Sequence, residues 1–193
     1  MNIKKALSLV AFGFLFTLVN LNLTVSGGTI NVTPDFIGWI LLFLAFDKLG
    51  NYVESKGFLK WISLGMAVMT CVIWGMETLK PELDAGSLKT LGAIVSLIYM
   101  YFLFGVLEQV AADSRSRYVS AIGTLKILNL VLYVGFIAAG LGVAAAGSSV
   151  LALLAAGIGV AALVCAVITA VVLFKLRREV RDRTEDTPGN FAP

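Results

Sequence analysis

Thr33-Pro34-Asp35-Phe36-Ile37-Gly38-Trp39-Ile40-Leu41-Leu42-Phe43-Leu44-Ala45-Phe46-Asp47-Lys48 joins a helix-start signal to an apolar run with an acid near each end, and its reading decides the fold. Thr33 is a good N-cap, and Pro34 suits the first helical position, where its missing N–H is no loss. Asp35 then falls in the first turn, where the helix dipole favours a negative charge. The apolar run 36–46 has 11 residues, about 16 Å of helix at 1.5 Å per residue. A bilayer core is roughly 30 Å thick. Either this helix crosses, continuing through Leu49 and Tyr52 with Asp47 and Lys48 in its inner half, or it re-enters and turns back.

The rest of the chain decides between those two readings. Five further apolar segments occupy residues 6–25, 61–76, 91–110, 119–146 and 150–174. The first follows Lys4 and Lys5 and is interrupted late by Asn20 and Asn22. It fits a signal peptide with a cleavage site near Val25-Ser26-Gly27, or a first membrane helix; the length of the run favours the helix. Residues 26–33 read as a polar, glycine-bearing loop, Trp61 and Trp74 as interfacial anchors, and Gly147-Ser148-Ser149 as a tight connection between the last two helices. With the N-terminus inside, Lys4, Lys5, Lys48, Lys56, Lys60, Arg115, Arg117, Lys126, Lys175, Arg177, Arg178, Arg181 and Arg183 all fall on the cytoplasmic side. Only Lys80 and Lys89 of the 15 Lys and Arg fall outside. Such an asymmetry obeys the positive-inside rule and requires the second helix to cross. The expected fold is therefore all-α: a polytopic bundle of six transmembrane helices over residues 1–175 with both termini cytoplasmic, then a basic and finally polar tail, 176–193.

Composition agrees. Hydrophobic residues make up 59% of the 193 and charged residues 14%, and the mean hydropathy is +0.92, far from the roughly 25% charged of a soluble domain. The net charge of +3 is absorbed by the topology signal, so nucleic acid is not expected as a partner. The chain has no histidine, which removes the usual general base and the commonest metal ligand. Cys71 and Cys165 sit inside apolar runs, as small hydrophobic residues do. No metal and no cofactor is expected, and the GxSxG, HExxH, P-loop and CxxC patterns are missing. A carboxylate enzyme acting on lipid has little support, because Asp35 and Asp47 lie about 18 Å apart along a helix.

Ionisable and amide groups inside lipid are the remaining candidates, since each is costly without a partner. Towards the outside, Asn20, Asn22, Asn31, Thr33 and Asp35 gather around the first loop, either as simple helix capping or as a ligand pocket at the start of the second helix. In the fifth segment Lys126, Asn129 and Tyr133 share one helical face, which places Asn129 and Tyr133 towards the bundle. Lys126 either snorkels to the interface or pairs with Glu108 at the end of the fourth segment. Asp47, Glu108 and Lys126 are read as interfacial ion pairs or as parts of a proton or ion relay. Ala138, Gly142 and Ala146, and Gly157, Ala161, Cys165 and Thr169, repeat every four residues, a spacing that lets helices approach closely within a hairpin or an oligomer. No internal repeat relates the two halves.

The segment from Asn31 to Leu42, with its Pro34-Asp35-Phe36-Ile37-Gly38 core, resembles one in small multi-span membrane proteins of Gram-positive bacteria. The resemblance implies a bacterial plasma-membrane protein and carries no activity. In size and span number the chain is also similar to the substrate-binding S-components of energy-coupling-factor transporters, although Ala6 and Ala11 are five apart and do not give the Ala-x-x-x-Ala pattern of that family's first span. The function expected is binding or transport of a small solute or lipid-like molecule. The alternative is a non-transporting subunit or regulator that binds a partner membrane protein or a second copy of itself.

Overall fold

The computed structural model describes residues 3–18, 22–25, 28–31, 35–49, 57–79, 86–146 and 149–180. Among these residues, six helices, α1 Ile3–Leu18, α2 Asp35–Leu49, α3 Phe58–Leu79, α4 Gly86–Asp113, α5 Val119–Ala146 and α6 Ser149–Glu179, are accompanied by a short hairpin of β1 Asn22–Val25 and β2 Gly28–Asn31.

The first apolar run is not one helix to Val25. α1 ends at Leu18, and the residues read as its end and as a polar loop form the antiparallel hairpin, with Asn22 paired to Asn31 and Val25 to Gly28. Alternation of polar and apolar residues on both sides of Ser26-Gly27, with β-branched Thr24, Val25, Thr29 and Ile30, favours strands over helix. Asn20, Thr33 and Tyr52 lie outside the described residues. α2 stops at Leu49 with Asp47 and Lys48 in its last turn. At 16 and 15 residues, α1 and α2 are only about 24 and 22 Å long. The other four helices are long and apolar enough to cross a membrane, over Phe58–Leu79, Gly86–Asp113, Val119–Ala139 and Ser149–Glu179. α6 continues past Lys175 to Glu179.

Successive helices pack against one another with alternating direction, and α6 returns to α1 to close a ring. The directions follow from Gly13 against Leu42 in α1 and α2, Asp47 against Lys60 in α2 and α3, Ser63 against Tyr99 in α3 and α4, and Asn129 against Thr169 in α5 and α6. One end of the bundle carries the hairpin. The other carries Lys4, Lys48 and the start of α5 and is called here the basic end.

The tightest contact in the ring is between α1 and α2. A Cβ on Gly38 would lie 2.7 Å from Thr17 Cγ2 and 2.8 Å from both the Gly13 carbonyl oxygen and the Thr17 nitrogen. Only glycine lets two backbones approach this closely. Ile3, Ala6, Leu7, Val10, Ala11 and Phe14 of α1 are all buried, so this short helix fills the core. Tyr99 of α4 is fully enclosed against α2 and α3. Its ring meets Trp39 at 4.9 Å and Phe46 at 6.1 Å, both edge-on, and its hydroxyl lies 2.7 Å from Ser63 Oγ. Such a hydrogen bond satisfies two polar groups that would otherwise be stranded in an apolar core.

The two ends differ in packing. In α3 every buried position lies between Leu59 and Ala67, in α5 the last is Asn129, and in α6 the first is Cys165, among the described residues. The hairpin-side halves of α5 and α6 touch mainly each other, through Gly135 against Ile158 and Gly142 against Leu151. Gly157 has nothing within 4 Å of where its Cβ would be, and Ala161 is exposed, so the four-residue stripe of α6 is in contact only at Cys165 and Thr169.

At the basic end the α4–α5 turn is latched to α6. Ser116 Oγ donates to Glu179 Oε2 at 2.6 Å, and Arg117 Nε lies 2.9 Å from Glu179 Oε1. Arg115, at φ 49°, takes the left-handed position that ends α4, while the Ser116 and Arg115 amides donate to the carbonyls of Ala111 and Ala112, a Schellman pattern.

Candidate functional site

Helical spacing places Lys126, Asn129 and Tyr133 on one face of α5, and that face meets α4 across a cleft. Leu97, Met100, Tyr101 and Phe104 of α4 form the opposite wall, Leu130 completes the α5 side, and Phe14 of α1 reaches in from behind. The cleft and the open space at its mouth together amount to about 300 Å³, but only about 10 Å³ is wide enough for the centre of a water molecule. That is room for about one water, so the cleft is a narrow slot between helices and not a chamber for a solvated solute.

Its polar groups are unequal. Asn129 is buried, its amide nitrogen donating to the Leu125 carbonyl at 2.9 Å and, more distantly at 3.4 Å, to Thr169 Oγ1 of α6. Thr169 in turn donates to the Cys165 carbonyl at 2.8 Å. Asn129 therefore ties α5 to α6 while it lines the cleft. Tyr133 faces Ser96 of α4. Lys126 is different: its Nζ lies 3.8 Å from Glu108 Oε2, beyond hydrogen-bond range, and 4.4 Å from the centre of the Tyr101 ring. The ammonium is thus held by a cation–π contact and a loose ion pair, a combination worth about 1 kcal/mol or less at a partly exposed site.

Towards the hairpin end, Asp35 begins α2, and its Oδ1 is enclosed without a hydrogen-bond partner among the described residues. An enclosed acceptor left unpaired costs on the order of 1–3 kcal/mol. Glu77 of α3 adds a like charge nearby, itself paired with Lys89 of α4. Phe36 beside Asp35 packs edge-on to Trp74 at 5.9 Å. Of the other outer candidates, Asn31 is described only as the end of β2, and Asn20 and Thr33 fall outside the described residues.

Asp47, Glu108 and Lys126 form two separate pairs. Asp47 Oδ1 meets Lys60 Nζ at 2.5 Å, and the same ammonium lies 5.2 Å from the centre of the Phe43 ring. Glu108 meets only Lys126 among the described cations. Tyr99, Phe14 and Tyr101 carry no signal in the sequence beyond an aromatic ring inside an apolar run, and nothing local indicates which helix each faces.

No family model, characterised protein or solved structure matches this chain. Its class rests on its own helices: four among the described residues that are long and apolar enough to cross a bilayer fit an integral membrane protein. Nothing narrower than that class is assigned by comparison.

Proposed function

We propose that the chain is a ligand-binding component of a bacterial plasma membrane, crossing it six times with both termini cytoplasmic, and that its ligand is lipid-like and lies in the slot between α4 and α5. The Lys and Arg asymmetry favours this topology, with the basic end inside, and the short α1 and α2 cross it where the bilayer thins to their length. The observation that carries the functional reading is the slot itself, where apolar walls from α4, α5 and α1 meet three polar side chains of one helical face. Pockets of this composition take mostly apolar ligands oriented by a few polar contacts. The slot as it stands holds about one water, so an acyl chain enters it only as the apolar side chains of its walls turn aside, while a hydrated solute has no place there.

Native mass spectrometry of the purified protein tests the reading. A retained lipid should be lost when Leu97→Trp fills the slot and kept in Asp35→Asn. Loss in Asp35→Asn alone would move the site to the outer mouth and sink the slot.

A second reading, a subunit that binds a partner membrane protein, is favoured by the bare hairpin-side halves of α5 and α6, where Leu153 is 77% exposed. Lipid covers such a face equally well. A stoichiometric partner that stays bound in native membranes and is lost on truncation after Lys175 would favour this reading.

A further inference from the structure

Resting on the α4–α5 slot as the ligand site, we infer that its occupant is an anionic phospholipid of the inner leaflet, headgroup at Lys126 and one acyl chain along the slot. Depth comes first. Lys126 lies seven residues into α5 from Val119, about 10 Å from the basic end of the helix, and a lysine stem can carry its ammonium towards the interface from there. From that depth the ammonium, on leaving the Tyr101 ring, reaches the glycerol region of the inner leaflet.

Charge comes second. The Lys126 ammonium has three donors and no hydrogen-bond acceptor among the described residues, Glu108 standing off at 3.8 Å. It is parked over Tyr101, whose ring is at the mouth of the slot. A phosphate oxygen supplies the short, charge-assisted acceptor that Glu108 does not. Arg115 in the adjoining turn adds exposed positive charge at the same end of the bundle. Basic pockets between helices on the cytoplasmic side are suited to anionic headgroups.

Shape comes third. Beyond Lys126 the walls are Leu97, Met100, Phe104 and Leu130 with Phe14 behind, an apolar seam about one water wide that a single chain follows by parting these side chains. Asn129 is occupied by its bonds to Leu125 and Thr169, and Tyr133 faces Ser96, which leaves Lys126 as the group that selects charge.

The test is thermal stabilisation of the full chain in a neutral detergent by dioleoyl phosphatidylglycerol and dioleoyl phosphatidylcholine, for the native protein, Lys126→Gln, Lys126→Arg and Leu97→Trp. Phosphatidylglycerol should stabilise the native protein at lower concentration than phosphatidylcholine. Lys126→Gln should weaken the phosphatidylglycerol response about fivefold with phosphatidylcholine unchanged, Lys126→Arg should retain it, and Leu97→Trp should reduce the response to both. Equal responses to the two lipids, or a preference for phosphatidylglycerol that survives Lys126→Gln, would overturn the headgroup assignment. If Leu97→Trp still abolishes both responses, the slot stands and only the charge selection falls; if it leaves them intact, both fall. Each variant's melting without lipid separates a folding defect from lost binding.

Discussion

Two helical hairpins in this protein are built from the same apolar residues and pack in opposite ways. α1 and α2 are short, meet backbone to backbone at Gly13 and Gly38, and bury much of their length in the core. α5 and α6 are nearly twice as long, carry a repeating stripe of small residues, and leave their hairpin-side halves largely open. Glycine matters where another backbone lies opposite it, and a periodic row of small residues does not by itself bring one there.

Substitutions at matched positions should break this contrast first where it is largest. Leu42→Ala, at a fully buried site of α2, is expected to cost about 2–5 kcal/mol, whereas Leu153→Ala on the exposed face of α6 should change stability by less than about 0.5 kcal/mol. Thermal melting of both variants in one detergent checks the difference, and equal losses would show that the α5–α6 arm is covered by a partner. Gly38→Ala comes next, at about 1–3 kcal/mol, because its Cβ meets backbone atoms that cannot yield without parting the helices. Gly157→Ala, in open space, should be neutral or stabilising by up to about 1 kcal/mol.

The smallest expected effect sharpens the core side of the comparison. Ser63→Ala and Tyr99→Phe should each cost about 1 kcal/mol, and the double variant less than the sum, since both remove one shared hydrogen bond. Additive losses in a double-mutant cycle would mean that the two hydroxyls act separately.

Much of this arrangement is legible in the sequence, for reasons that particular residues make clear. α5 runs over 119–146 as read, because charged residues precede it and Gly147-Ser148 follows it. The first apolar run is misleading, because Leu, Val and Ile suit a buried helix and a strand equally, and only the alternation around Ser26-Gly27 separates them. Lys126, Asn129 and Tyr133 are grouped by helical spacing alone. Phe14 and Tyr101, which complete the slot, are not, because the pairing of α5 with α4 and α1 is a tertiary fact with no local pattern. Gly13 and Gly38 are single glycines on separate helices, so no repeat announces their contact.

The slot is tested most directly by determining the structure in nanodiscs that contain phosphatidylglycerol. The expected result is elongated non-protein density between α4 and α5, passing Leu97 and Phe104 and ending in a headgroup at the Lys126 ammonium. A slot closed by its own side chains, with ligand density instead beside Asp35 at the start of α2, would contradict it.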